Sequence, residues 1–162
     1  MNPHFPAFKR IITNPVLFPF FVFQKLSAAF WAGLSIAHFD DKSCGVRVKL
    51  SWFNQNPFRS MYFAVEAMAA EMSCGMLAFG QVYKRQPAVS MLVEKLEAKF
   101  VKKATGVIIF TCEDGEALRD TVNEALTNPA GTKLQVTSIG RNQAGEIVAE
   151  FVFTWTFKAK NL

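Results

Sequence analysis

The chain has 162 residues, 51% of them hydrophobic and only 19% charged, with 17 Phe and a formal net charge of +5. A single domain of that size can bury a sizeable core without staples, and so apolar a composition excludes disordered, coiled-coil and collagen-like classes. The basic excess suits an anionic ligand or a membrane surface, but it is too small to argue for nucleic acid.

The most apolar stretch is Val16 to Ala37, preceded by Lys9-Arg10 and interrupted by Pro19 and Gln24-Lys25. Those interruptions argue against a spanning helix, and the run lacks the small-residue exit of a signal peptide. We read Pro15 to Leu34 as one amphipathic helix that covers the domain or contacts a membrane surface peripherally. Residues 1–33 then form a helical extension, with His4 in a frayed terminus, and residues 34–160 form a single domain.

From Leu34 the pattern changes to period two. Leu34 to Asp40 and the alternating Val46, Val48, Leu50 and Trp52 predict a hairpin across Asp41-Lys42-Ser43. Asn54-Gln55-Asn56-Pro57 breaks the sheet, and Pro57 is placed to open a helix over Arg59 to Gly80. That helix has almost no polar face, which predicts burial on all sides, and its small residues (Ala64, Ala67, Ala69, Ala70, Ser73, Cys74, Gly75) would let a sheet wrap closely. Strands follow over Val89 to Lys103 and Gly106 to Glu113, then a helix from Glu116 to about Thr127 capped by Asp114. A last hairpin joins Thr132 to Gly140 and Glu146 to Lys158, the second strand alternating Ile147, Ala149, Phe151, Phe153, Trp155 and Phe157 against polar neighbours.

Three scattered cysteines, Cys44, Cys74 and Cys112, form no C-x-x-C pair and are expected as reduced thiols of a cytoplasmic protein. With only His4 and His38 available, neither a histidine-dependent triad nor a multi-histidine metal site is expected. Two carboxylates remain, Glu66 and Glu71, inside the apolar helix. Each must find a partner, reach solvent or take up a proton, because an unpaired buried charge costs several kcal/mol. Five residues apart, they point about 140° apart around the axis and do not form a dyad. For Glu66 the expected partner is a Lys or Arg at a dimer seam or helix end.

An antiparallel sheet wrapped around one apolar helix that follows the second strand resembles the α+β hot-dog fold, and the chain resembles the phenylacetyl-CoA-type acyl-CoA thioesterases. Their pattern runs from an Asn, through a His six residues on and Gly-Gly, to an acid nine residues after the His. Here Asn56 matches the Asn, Tyr62 and Phe63-Ala64 stand at the His and Gly-Gly positions, and Glu71 falls on the acid. The resemblance, covering roughly residues 34–158, implies hydrolysis of an acyl thioester with Glu71 as general base or nucleophile. It implies no cofactor or metal, and assembly as a homodimer or dimer of dimers with sites at the seam. The first-turn N–H groups around Tyr62, Phe63 and Ala64 are placed to hold a carbonyl oxygen. Asn56 either adds a donor or closes an Asx turn before Pro57, and Ser60 and Tyr62 cap and pack the helix start. Lys99, Lys102 and Lys103 form a basic rim for coenzyme A or a solvated strand face. Loss of the His and both Gly leaves a second outcome open, a hot-dog module that binds an acyl group or acyl-CoA without turnover.

Overall fold

The computed structural model describes residues 1–160. Three helices, α1 (Phe5–Thr13), α2 (Leu17–Lys25) and α3 (Ser27–Trp31), precede β1 (Ser35–Phe39) and β2 (Cys44–Lys49). Helix α4 (Phe63–Val82) follows, then β3 (Val89–Phe100), β4 (Val107–Cys112), α5 (Gly115–Ala125), β5 (Thr132–Asn142) and β6 (Ile147–Ala159). The strands form one antiparallel six-stranded sheet in the order β1-β2-β4-β5-β6-β3, with α4 against it, which is the hot-dog arrangement.

The reason α4 sits at the centre is its composition. Fourteen of its residues are buried, and an apolar helix of that length is stable in water only if every side is covered. By length and composition it could also cross a membrane, yet here it is the core helix. The alternation in β6 places Phe151, Phe153, Trp155 and Phe157 inward, all nearly inaccessible. Buried hydroxyls of Ser73 and Ser138 meet at 2.7 Å and tie α4 to β5.

Several boundaries depart from the sequence expectation. The segment expected as one helix over Pro15 to Leu34 is two, broken at Leu26, where the backbone leaves the helical region (φ −140°, ψ 55°). Neither presents a simple polar outer face: Phe18 and Val22 are buried while Leu17, Phe20 and Phe23 remain exposed. The terminus before them is ordered rather than frayed. Asn2 is buried and donates from Nδ2 to the carbonyls of Gly80 and Tyr83, and the Phe5 and Phe8 rings of α1 stack on and abut that of Phe39. Pro57 does not open α4. Arg59 adopts a left-handed φ of 60°, Gln55 bridges to Met61, and the helix begins only at Phe63. At α5 the Asp114 side chain leaves its own helix uncapped, because Oδ2 accepts from the Thr137 N–H of β5 at 2.8 Å.

Candidate functional site

Glu71 lies in the third turn of α4, its carboxylate directed along the helix over Gly75. A Cβ built at Gly75 would stand 2.7 Å from Glu71 Oε1, closer than real contacts allow, so only glycine leaves the carboxylate its place. Among the described residues the Glu71 side chain has no hydrogen-bond or ion-pair partner. Burial raises its pKa above the ordinary carboxylate value. It opens into a pocket of about 290 Å³, walled by Met72, Met76 and Phe79 of α4, Met91 of β3, and Phe21 and Leu26 of the helical cover. Lys25 also lines that pocket without reaching the carboxylate. A smaller cleft under α3 continues from the same glutamate past Met68 and Ala29.

The other expected site residues gather elsewhere. Asn56, Ser60, Phe63, Lys102 and Lys103 line a second pocket of about 360 Å³ at the start of α4, together with Phe100 and Glu66. Eight residues separate Phe63 from Glu71, roughly 12 Å along the axis, so one chain does not bring Glu71 to the first turn of α4. Asn56 is committed to its loop: Nδ2 donates to Ser60 Oγ and the Met61 carbonyl, and Oδ1 accepts from the N–H of Phe58. Tyr62 occupies the N-cap position without a side-chain capping bond and packs its half-exposed ring on Phe63. Ala64 lines neither pocket. Lys102 is held by both carboxylate oxygens of Glu146 at 2.8 Å. Lys99 stands exposed on β3, opposite Glu150 of β6 and outside the pocket.

Within one chain, among the described residues, Glu66 meets no Lys or Arg. It is 4% exposed, Oε2 has no partner, and burial pushes its pKa up to about 7. A carboxyl whose pKa is higher folded than unfolded stabilises the fold fully below the unfolded value, and that contribution is lost as pH rises to the folded one. Unfolding free energy should therefore fall by roughly 3 kcal/mol between about pH 4.5 and pH 7 from this group. Glu66→Gln should flatten that part of a urea-denaturation pH series, and an unchanged slope would show that folding does not raise the Glu66 pKa.

The sequence pointed to neither the pairing of Gly75 with Glu71 nor the part of the helical cover in that pocket. The only signal was the Glu-x-x-x-Gly spacing, which places the two on one helix face. Cysteine chemistry is absent from both pockets, since all three thiols are buried and burial raises each of their pKa values, Cys112 to about 12.

The model of a family described as a domain of unknown function, DUF4442, matches residues 17–157. No curated protein matches the chain. Among solved structures, a Pseudomonas aeruginosa protein of unknown function described as "Probable Thioesterase" is 19% identical, with 99% of each chain covered and a TM-score of 0.73. A Chlorobaculum tepidum protein of unknown function is 16% identical over 96% of this chain and 94% of its own, with a TM-score of 0.76. A Haemophilus influenzae thioesterase is 10% identical over 82% of each chain, with a TM-score of 0.60. At such identities these likenesses carry the fold.

Proposed function

The chain belongs to the DUF4442 family, and from that membership together with its hot-dog fold we propose that it hydrolyses acyl thioesters, with Glu71 as general base. The observation that carries this reading is an unpartnered, half-buried carboxylate, beside Gly75, at the wall of an otherwise apolar pocket. Glu71 takes a proton from water, the water oxygen adds to the thioester carbonyl, the C–S bond breaks, and the proton leaves with the thiol. Burial raises the basicity of the carboxylate, and aromatic and Met side chains around it supply apolar contact for the acyl group. Phe21 and Phe79 favour an aromatic or branched acyl group of the phenylacetyl kind, and Lys103, with Lys102 and Lys99 beyond it, gives a coenzyme A diphosphate a cationic approach.

The carbonyl also needs donors, and these stand in the first turn of α4, out of reach of the same chain's Glu71. A second copy resolves this. Strand β3 has no partner on its outer edge, where Leu92, Leu96 and Phe100 are exposed. Its Met91 end borders the Glu71 pocket and its Phe100 end borders the Glu66 pocket, nine residues or roughly 30 Å away. Antiparallel pairing of two β3 strands about their centre sets the Met91 end of one copy beside the Phe100 end of the other. Each composite site then draws its base from one copy and its carbonyl donors from the other.

Phe63 favours a second reading. It occupies a position where the resemblance has Gly, and its ring packs on Tyr62 and Phe100 over the helix start, which would hinder a thioester from reaching the backbone there. A protein blocked in this way would bind acyl-CoA without turning it over. Thiol release measured over short, medium, long and aromatic acyl-CoAs separates the two. Steady release from at least one class is expected, whereas calorimetric binding with no release from any would replace hydrolysis by the binding module.

A further inference from the structure

We propose that Glu66 is a catalytic residue of this reaction, donating a hydrogen bond from its protonated carboxyl to the thioester carbonyl oxygen at the first turn of α4. The inference rests on the thioesterase reading and adds to it a donor that neither the fold nor the family pattern assigns. Three observations converge on it. Glu66 lies one turn after Phe63 on the same face of α4, and both line the pocket at the helix start. Among the described residues the N–H groups of Phe63 and Ala64 have no acceptor and the helix has no side-chain cap, which leaves that end open to an oxygen ligand. And Glu66 Oε2 is buried without a partner on the wall of the pocket that Phe63 also lines.

A buried polar atom in a native fold is almost always satisfied, so an orphaned one facing a cavity marks a place for a ligand atom. Which ligand atom depends on the proton. Within one chain the charged groups around the cavity are Lys102, which Glu146 already holds, and Lys103; the loop before α4 contributes Asn56 and Ser60, β3 contributes Phe100, and the one further acid of the assembled site is the Glu71 that a second copy would bring. Among the described residues no cation lies within ion-pair distance to keep Glu66 ionised, and burial, which raises its pKa to about 7, leaves it protonated for a substantial fraction of the time at neutral pH. A neutral carboxyl held by an apolar site donates a hydrogen bond to a developing oxyanion without a charge penalty. The missing His and Gly-Gly pattern thus has a local replacement: two backbone N–H groups and one carboxylic acid, all from the first turns of one helix.

The pH dependence tests this. Hydrolysis needs Glu71 ionised, which gives a rising limb, and Glu66 protonated, which gives a falling limb near pH 7 that drops about tenfold per pH unit. Glu66→Gln keeps a donor of the same shape without a titrating proton, so it should retain activity and lose the falling limb. Glu66→Ala removes the donor and should cost roughly 10²–10³ in kcat. An alkaline limb that survives in Glu66→Gln, or full activity in Glu66→Ala, overturns the role of Glu66 but leaves Glu71 hydrolysis standing. Should the protein release no thiol at all, infrared spectroscopy decides instead. The protonated carboxyl band that titrates near pH 7 and is absent in Glu66→Gln should shift when an acyl-CoA analogue with a ketone in place of the thioester is added; a band that does not move overturns the proposal.

Discussion

Replacing Glu71 by Gln is expected to lower kcat for thioester hydrolysis by roughly 10²–10⁴, the usual contribution of a positioned base, with KM changed little. The carboxamide has the shape of the carboxylate and the same room above Gly75, so the pocket survives and only the proton acceptor is lost. Stability should move the other way. Glu71 is half-buried without a partner among the described residues and its pKa is raised, so above its folded pKa the ionised side chain destabilises the protein relative to a neutral isostere. Thermal melts at pH 8 should show Glu71→Gln at or above the wild-type Tm, while thiol release collapses. Loss of activity joined to loss of fold would instead make Glu71 a structural residue. Gly75→Ala provides the converse. A methyl group at 2.7 Å from Oε1 must displace the carboxylate, while alanine in a helix interior is favoured over glycine by up to about 1 kcal/mol. Activity should fall with no comparable loss of Tm, as it does when a side chain is misplaced rather than a fold broken.

Much of the fold was legible because burial writes a period into the chain. In β6 every second residue from Ala149 to Phe157 faces the core, and in α4 the absence of any polar stripe predicted burial on all sides. What escaped were features decided by contacts between distant segments. The ordered start of α1 depends on Gly80, which leaves room for the Phe5 ring, and on carbonyls of Gly80 and Tyr83 that capture Asn2. Pro57 carried a helix-start signal, yet the Asx turn of Asn56 and the left-handed Arg59 delay α4 until Phe63. The candidate site shows the same division. Position in a motif singled out Glu71, and an acid in an apolar helix singled out Glu66 as well, but the sequence does not show which pocket each faces. The structure sets Asn56, Ser60 and Phe63 with Glu66, so residues grouped by one linear motif belong to two sites on the chain.

That division makes a strong demand on assembly. If the base comes from one copy and the carbonyl donors from the other, two inactive variants should restore each other when mixed. Glu71→Gln spoils every site to which its chain gives the base, and Glu66→Ala spoils every site to which its chain gives the donor. A mixed dimer therefore has one site carrying both defects and one carrying neither. Random exchange of equal amounts places about half of the protein in mixed dimers, so about a quarter of all sites regain full function. With each parent reduced by roughly 10² or more, the recovery is at least tenfold above either alone. It requires co-refolding or prolonged exchange, and it should vanish if Leu92 and Leu96 on the exposed edge of β3 are both changed to Lys in the two partners, since like charges across the seam oppose pairing. Mixtures that exchange subunits, as mass spectrometry of one labelled partner would show, yet stay at the parental rate would place both glutamates' chemistry within single chains. The roughly 12 Å between Glu71 and the first turn of α4 is fixed by the helix itself and would then close only if α4 unwound between Phe63 and Glu71, which its packing on all sides opposes.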